Sequence, residues 1–235
     1  MIRSLYTVNR NMNILQKKQE NTSANLANIN TPGYKFQDIV QRTLNTETLV
    51  NYNGGRKLEE RQELGPFVFG NQIDGFYRNF DQGNLYETNK GTDFAIVGNG
   101  FFTVQMDNGQ VAYTRNGNFR VNEEGQLTTM EGHRVLGSNG YIYVVDEDVN
   151  MEELLITDFN NYENLNNIGD TLFTGNGGYP INGELRKGYL EASNVNMADA
   201  IVKMIEISRE FESNQKLLHA ADETLNKAVN EIGRV

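Results

Sequence analysis

Residues 1–30 read MIRSLYTVNRNMNILQKKQENTSANLANIN, and this stretch decides the fold. Its heptad a and d positions recur at alternating spacings of four and three residues: Met1, Leu5, Val8, Met12, Leu15, Gln19, Thr22, Leu26 and Ile29. Mostly apolar side chains at these spacings line one side of an α-helix and form a seam against a second helix. The seam stops at Pro32-Gly33, because proline disfavours helix at the preceding residue and glycine tolerates the left-handed backbone that ends helices.

The carboxyl end of the chain carries a second seam with the same spacing. Its positions are Met197, Ile201, Met204, Ser208, Phe211, Gln215, Leu218, Asp222, Leu225, Val229 and Ile232. Asn196 is placed to cap this helix, Asp199 stands in its first turn, and Gly233 is a plausible end. A helix from Met197 to Ile232 would be about 54 Å long at a rise of 1.5 Å per residue. Because no other helical pattern separates the two seams, we predict that each packs against the other and against neighbouring copies.

The middle of the chain has the pattern of antiparallel β structure. Short apolar runs alternate with hairpin signals such as Asp107-Asn108-Gly109 and Asn116-Gly117. The predicted strands include 94–97, 101–106, 110–115, 118–121, 133–136 and 141–145. Strands at this spacing favour a sandwich or small barrel. Residues 41–75 are mixed in composition, and we expect irregular extended structure or a β arm there.

Composition limits the chemistry of the chain. It has no cysteine and only two histidines, His133 and His219, neither of which has a partner at metal-ligand spacing, so we predict no metal site. Gly98 and Gly100 begin like a dinucleotide-binding loop, but Thr103 stands where its third glycine belongs, so we predict no cofactor. The net charge of −10 argues against nucleic-acid binding. Acidic residues are plentiful, so residue types alone leave a paired-carboxylate hydrolase open. Nothing singles out a pair, however, and we predict that the protein is not an enzyme.

No apolar run reaches the roughly 18 residues of a membrane-spanning helix. The first ten residues lack the apolar core and cleavage site of a secretory signal. We predict no membrane span, and a chain that stays in the cell or leaves without leader cleavage.

Three blocks of the sequence, in order, resemble the bacterial flagellar rod and hook family. The first lies at 23–35 and the second is the β stretch at 94–127, which is similar to the family's shared central domain. The third, at 188–196, resembles the opening of its carboxy-terminal helix. The signature positions are Asn25, Asn28, Thr31, Gly33, Tyr34, Lys35, Gly188, Leu190, Glu191, Ser193, Asn194 and Val195.

The resemblance implies a structural axial subunit of the basal-body rod. Such a subunit would be exported by the flagellar type III apparatus without leader cleavage and would polymerise outside the cytoplasmic membrane. Its partners would be copies of itself and neighbouring rod or hook subunits, and the polymer would transmit torque from motor to hook. Whether the position is distal or proximal in the rod stays open.

Residues 36–40 follow the first signature block directly. Phe36 and Val40, four residues apart, resemble the short gate-recognition motif of early flagellar export substrates. The alternative is an ordinary apolar anchor where the chain enters its β domain. Both interpretations stay open from sequence.

The predicted fold is mixed α and β: long terminal helices form a coiled coil around a central, mainly antiparallel β domain. We divide the chain into a terminal helical domain (1–35 and 190–235), an extended or β arm (36–75) and a central β domain (76–189). The assembly seam is assigned to Leu5, Val8, Met12, Leu15, Leu26, Ile29, Ile201, Met204, Phe211, Leu218, Leu225, Val229 and Ile232. The alternative function is an extracellular binding module or adhesin with a coiled-coil stalk; a cell-wall hydrolase comes third.

Overall fold

The structure is a computed structural model that describes residues 2–52, 61–144, 149–169 and 171–232. It divides into two compact units. The terminal unit comprises Met1–Ala24, Gln37–Tyr77 and Ala198–Val235, and the β unit comprises Asn25–Phe36 and Arg78–Met197. None of the helices described is long and apolar enough to cross a membrane.

Two helices lie at the ends of the chain. Helix α1 spans Ile2–Ala27 and α2 spans Met197–Lys227, followed by a π-helical segment at Ala228–Ile232. Helix α1 therefore ends at Ala27, before the last predicted seam position, Ile29. The predicted carboxy-terminal helix reaches Ile232, but its α-helical part ends at Lys227 and the remainder is π-helical. The predicted end of the carboxy-terminal helix at Gly233 lies outside the described residues, as does Met1.

The terminal unit also contains the segment whose structure was uncertain from sequence. Strands β1 (Gln37–Thr43) and β4 (Asn71–Arg78) form one two-stranded sheet. Strands β2 (Thr46–Tyr52) and β3 (Arg61–Val68) form another, antiparallel, with a register shift near Leu49. Residues 41–75 thus contain paired β-strands in their described part.

The β unit holds the remaining strands, and its described pairings are antiparallel. They are β5 (Leu85–Glu87), β6 (Phe94–Val97), β7 (Phe101–Gln105), β8 (Val111–Thr114), β9 (Phe119–Val121), β10 (Leu127–Thr129), β11 (Arg134–Gly137), β12 (Gly140–Tyr141), β13 (Ile156–Asp158), β14 (Asn166–Asn167), β15 (Leu172–Thr174), β16 (Tyr179–Ile181), β17 (Glu184–Lys187) and β18 (Tyr189–Glu191). The main sheet runs β14-β15-β8-β7-β11-β10-β9. Strand β17 pairs with β6, and β18 pairs with β5. The prediction of a mixed fold with a mainly antiparallel middle is confirmed.

Strand β7 lies at the centre of the β unit, and its first four residues are buried on both faces of the strand. Successive side chains of a strand point to opposite faces, so Phe102 and Val104 enter the main core while Phe101 enters a second, aromatic cluster with Phe159 and Phe173. All of these side chains are at most 5% exposed. The hairpin that follows β7 turns at a glycine of positive φ, as the sequence predicted. The predicted strand at 141–145 is described only to Val144, and its regular pairing is limited to Gly140–Tyr141.

Candidate functional site

Residues from the first and last signature blocks meet in the β unit around three buried charges. Lys35 follows the turn after α1, eight residues beyond the helix end at Ala27, and Glu191 ends strand β18. Arg115 follows strand β8. Their side chains are 1%, 1% and 3% exposed, respectively. We call Lys35, Arg115, Glu191 and Asn194 the buried polar cluster.

The Glu191 carboxylate is the centre of this cluster. One oxygen, Oε1, lies 2.6 Å from Lys35 Nζ and accepts a 2.8 Å hydrogen bond from the Gly83 backbone N–H. The other, Oε2, lies 3.4 Å from Arg115 Nη1. Both oxygens are therefore occupied by donors from distant parts of the chain, which is how proteins satisfy a buried charge.

The two cations have further partners on the backbone. Lys35 Nζ donates to the Asp81 carbonyl at 2.8 Å, and Arg115 Nη2 donates to the Gly98 carbonyl at 2.7 Å. The Arg115 guanidinium also lies 5.4 Å from the centre of the Phe101 ring, a distance suited to cation–π attraction. Burial lowers the pKa of Lys35 below its ordinary value, although Glu191 opposes that shift. Burial likewise lowers the pKa of Arg115, again against the attraction of Glu191.

Gly33 brings the first signature block against the backbone of the β unit. Its N–H donates to the Glu191 carbonyl at 2.8 Å. A Cβ at this position would lie 2.4 Å from the Arg115 carbonyl carbon, and the backbone φ is +69°. Close approach and a left-handed backbone both require glycine here.

The Asn194 side chain closes the cluster with three hydrogen bonds. Its Oδ1 accepts from the Phe36 N–H at 2.6 Å. Its Nδ2 donates to the carbonyls of Asn79 at 2.9 Å and Asp81 at 3.0 Å. An asparagine amide can accept and donate at the same time, so this one side chain joins its own segment to the backbone of Phe36 and to that of residues 79–81.

The other signature residues support the same region. Tyr34 donates its hydroxyl to Asn25 Oδ1 at 3.1 Å, and both side chains are buried. Thr31 donates to Asn28 at 3.0 Å. The remaining four are Gly188, which has a φ of +76°, Leu190 and Val195, which are buried, and Ser193, whose hydroxyl accepts from the Val195 N–H.

The arrangement holds two chain segments together. Lys35 and Gly33 belong to 25–36, whereas Glu191 and Asn194 belong to 188–195, and the described hydrogen bonds join them directly. Within the described residues, no group of three or more His, Cys, Asp or Glu side chains could hold a metal ion. The cluster is built to fix backbone positions.

The predicted seam residues lie at different depths. Leu15 is buried, and those that are partly buried are Leu5, Val8, Met12, Leu26, Ile29, Met204, Phe211, Leu218 and Leu225. Ile201 and Val229 are 43% and 70% exposed. The Ile232 side chain lies outside the described residues. Their role in assembly stays a prediction.

Sequence reasoning missed several residues of both regions. On α2 the buried positions are Ala200 and Ile207, one residue before the predicted Ile201 and Ser208. Alanines at positions 200, 221 and 228 could have indicated this buried face of α2. A pattern based on large apolar residues does not include them. Arg115 was noted only as part of a β block, and the sequence carries no sign that Gly83 and Asp81 contact the signature residues.

The two predicted export residues differ in their surroundings. The Phe36 backbone is held at both ends, because its N–H reaches Asn194 and its carbonyl accepts from the Asn79 N–H at 2.9 Å. Val40 lies in β1 and is 46% exposed. Their export role stays a prediction.

Three family models match this chain. They are described as "Flagella basal body rod protein" (residues 5–35), "Flagellar hook protein FlgE/F/G D1 domain" (95–166) and "Flagellar basal body rod FlgEFG protein C-terminal" (186–231). The flagellar basal-body rod protein FlgG of Buchnera aphidicola subsp. Baizongia pistaciae is 33% identical, over 97% of this chain and 98% of its own length. FlgG of Bacillus subtilis is 30% identical over 98% and 99% of the two chains. Rod protein FlgF of Caulobacter vibrioides is also 30% identical, over 94% of each chain.

Proposed function

Since this chain belongs to the flagellar basal-body rod protein family, we propose that it is a structural subunit of the rod that polymerises helically through its terminal helices. The observation that carries the proposal is 33% identity to a rod protein over 97% of the chain. The subunit assembles with other axial flagellar subunits, and its place is the basal body. No specific observation favours the alternative function, an extracellular binding module or adhesin with a coiled-coil stalk.

Exposed apolar surface on the terminal helices supports polymerisation. The predicted seam residues Ile201 and Val229 are exposed to solvent in the single chain, and Leu217 is 56% exposed. Covering such surface gains roughly 25 cal/mol per Å². We propose that the seams pair as a coiled coil and gain further cover from neighbouring copies. A contact between unlike surfaces of identical subunits gives an open helical polymer, which can transmit torque from motor to hook.

The route to the rod is also part of the proposal. The subunit leaves the cytoplasm through the flagellar type III apparatus without leader cleavage, and Phe36 and Val40 contribute to its recognition. The support is the resemblance of residues 36–40 to the recognition motif of early substrates, together with the exposure of Val40.

The test is a strain that lacks the gene for this chain, with the unmodified gene restored as control. We expect basal bodies isolated from the deletion strain to end within the rod and the cells not to swim. Restoration of the gene should return complete basal bodies. Complete rods in the deletion strain would contradict the proposal. A purified chain that forms only a closed oligomer of fixed mass would favour the stalked module instead.

A further inference from the structure

Helix α2 has a second apolar surface, on the side away from its buried residues. Ile201, Val202 and Ile205 are 43%, 55% and 48% exposed. At 3.6 residues per turn they lie roughly opposite Ala200 and Ile207, which the chain buries. We call Ile201, Val202 and Ile205 the outer patch of α2. Three adjacent branched apolar side chains on one exposed helical face mark an interaction surface.

Acidic residues border the outer patch. Asp199, Glu206 and Glu210 are exposed and are spaced by seven and four residues, so they form a stripe along the helix beside the patch. Lys203, the intervening cation, is engaged by Asp38 in β1 at 2.6 Å. The partner of this surface should therefore combine apolar area with positive charge.

Helix α1 presents a surface with those properties. Tyr6, Arg10, Asn13 and Lys17 are exposed and follow one another at spacings of four, three and four, which places them on one stripe. Tyr6 is 70% exposed. Lys17 contacts Glu20 of its own helix at 2.7 Å, a solvent-exposed pair of the kind that contributes little to stability. The opposite side of α1 is covered by its own chain, because Leu15 is buried and Asn11 accepts a hydrogen bond from Asn71.

The charges on the two surfaces have the same spacing. Arg10 and Lys17 are seven residues apart, as are Asp199 and Glu206, which corresponds to about 10.5 Å along each helix. Complementary charges that flank an apolar contact set partner and register between helices. Both surfaces are exposed in the chain itself, so the molecule that brings them together is a second copy.

We propose that the Tyr6–Lys17 stripe of α1 in one copy docks on the outer patch of α2 in the next copy. The proposal rests on the proposed function, since it names the contact through which subunits of the rod would polymerise. The two surfaces are different, so the contact is heterologous and each subunit offers one of each. Repetition of such a contact extends a polymer without closing it.

Charge reversal tests this contact in cells whose own gene is deleted. The two pairs of charges match in either helix direction, so both charges of a stripe are reversed together. Arg10→Glu with Lys17→Glu alone, and Asp199→Arg with Glu206→Arg alone, each place like charges across the contact, and we expect docking to weaken at least about fivefold and swimming to be reduced. The combined variant with all four changes should restore swimming. Glu124→Arg, at an exposed position of the β unit, controls for the change in net charge. Reduced swimming in both two-residue variants without recovery in the combined variant would overturn the proposal.

Disulfide trapping gives a second readout, because the chain contains no cysteine. Asn13 and Val202 lie between the two charge pairs in either helix direction. Basal bodies that carry Asn13→Cys with Val202→Cys should give a ladder of covalent multimers after mild oxidation, and Asn13→Cys with Glu124→Cys should give none beyond dimers. A swimming strain whose Asn13→Cys, Val202→Cys subunits form no ladder would refute the docking contact while leaving the rod function intact. Failure of the unmodified gene to restore rods would refute the proposed function instead.

Discussion

The buried polar cluster yields the sharpest prediction about stability. Glu191→Gln keeps the size of the side chain and an acceptor for the Gly83 N–H, but removes the negative charge between Lys35 and Arg115. Both cations are at most 3% exposed, so water cannot replace the carboxylate. Two like charges would then remain buried near one another without a counter-ion.

The expected loss follows from this burial. Removing one partner of a buried ion pair costs about 3–5 kcal/mol, because the other charge is left desolvated and uncompensated. A domain has a free energy of unfolding of about 5–15 kcal/mol, so the variant should lose a large part of it. For comparison, Asp74→Asn breaks the Arg42–Asp74 pair, whose side chains are 61% and 47% exposed, and should cost less than about 1 kcal/mol.

Urea unfolding of the purified chain, followed by tyrosine fluorescence, measures both losses, since the chain has 11 tyrosines and no tryptophan. The pH dependence adds a check. The pKa of Lys35 is already lowered by burial, and Glu191→Gln removes the charge that opposes this shift. The unfolded chain then binds more protons than the folded one as pH rises toward 10, so stability recovers in that range. A loss below 1 kcal/mol at pH 7, or one equal to that of Asp74→Asn, would refute the assignment of the cluster.

Three further predictions concern assembly, export and titration. Leu218→Glu should block rod assembly, because it puts a charge among packed apolar side chains, whereas Glu at exposed Lys216 should be mild; equal swimming defects would contradict this. Phe36→Ala with Val40→Ala should reduce secretion with the fold intact by circular dichroism, and normal secretion would oppose an export role. Burial and a hydrogen bond to a carboxylate raise the pKa of Tyr162 to about 12, so its contribution to stability is present below about pH 10 and is lost as the pH rises from there through about 12. Burial also raises the pKa of Tyr86 and Tyr113, so phenolate absorbance should show late-titrating tyrosines, of which Tyr162→Phe removes one.

Local patterns predicted the elements well, because helices and hairpins leave short-range signals. Alternating four–three spacings indicated both helices, and Asn-Gly pairs placed turns such as the one at Gly117. The face of α2 was harder: the large residue at Ile201 suggested a buried position, whereas Ala200 is the buried one. A search weighted by side-chain size overlooks a small residue that permits close packing.

The buried polar cluster could not have been predicted from spacing, because its contacts are long-range. Lys35 and Glu191 stand 156 residues apart, and nothing local indicates that a lysine after a turn will be almost wholly buried. The resemblance identified both residues as signature positions without assigning a contact between them. Tertiary structure was needed to show that the two blocks of the signature are one site.

The chemistry of the cluster suits geometric specificity better than maximal stability. Well-packed apolar residues in place of a buried ion group are often neutral or stabilising, so stability alone does not explain three buried charges. Hydrogen bonds are more directional than apolar packing. Asn194 accepts from the Phe36 N–H and donates to the Asp81 carbonyl, and Glu191 accepts from the Gly83 N–H. These bonds fix the segment after α1 against the segment before α2. In a subunit that repeats along a polymer, a small error at this point would recur at every contact, and hydrogen bonds of defined direction limit that error.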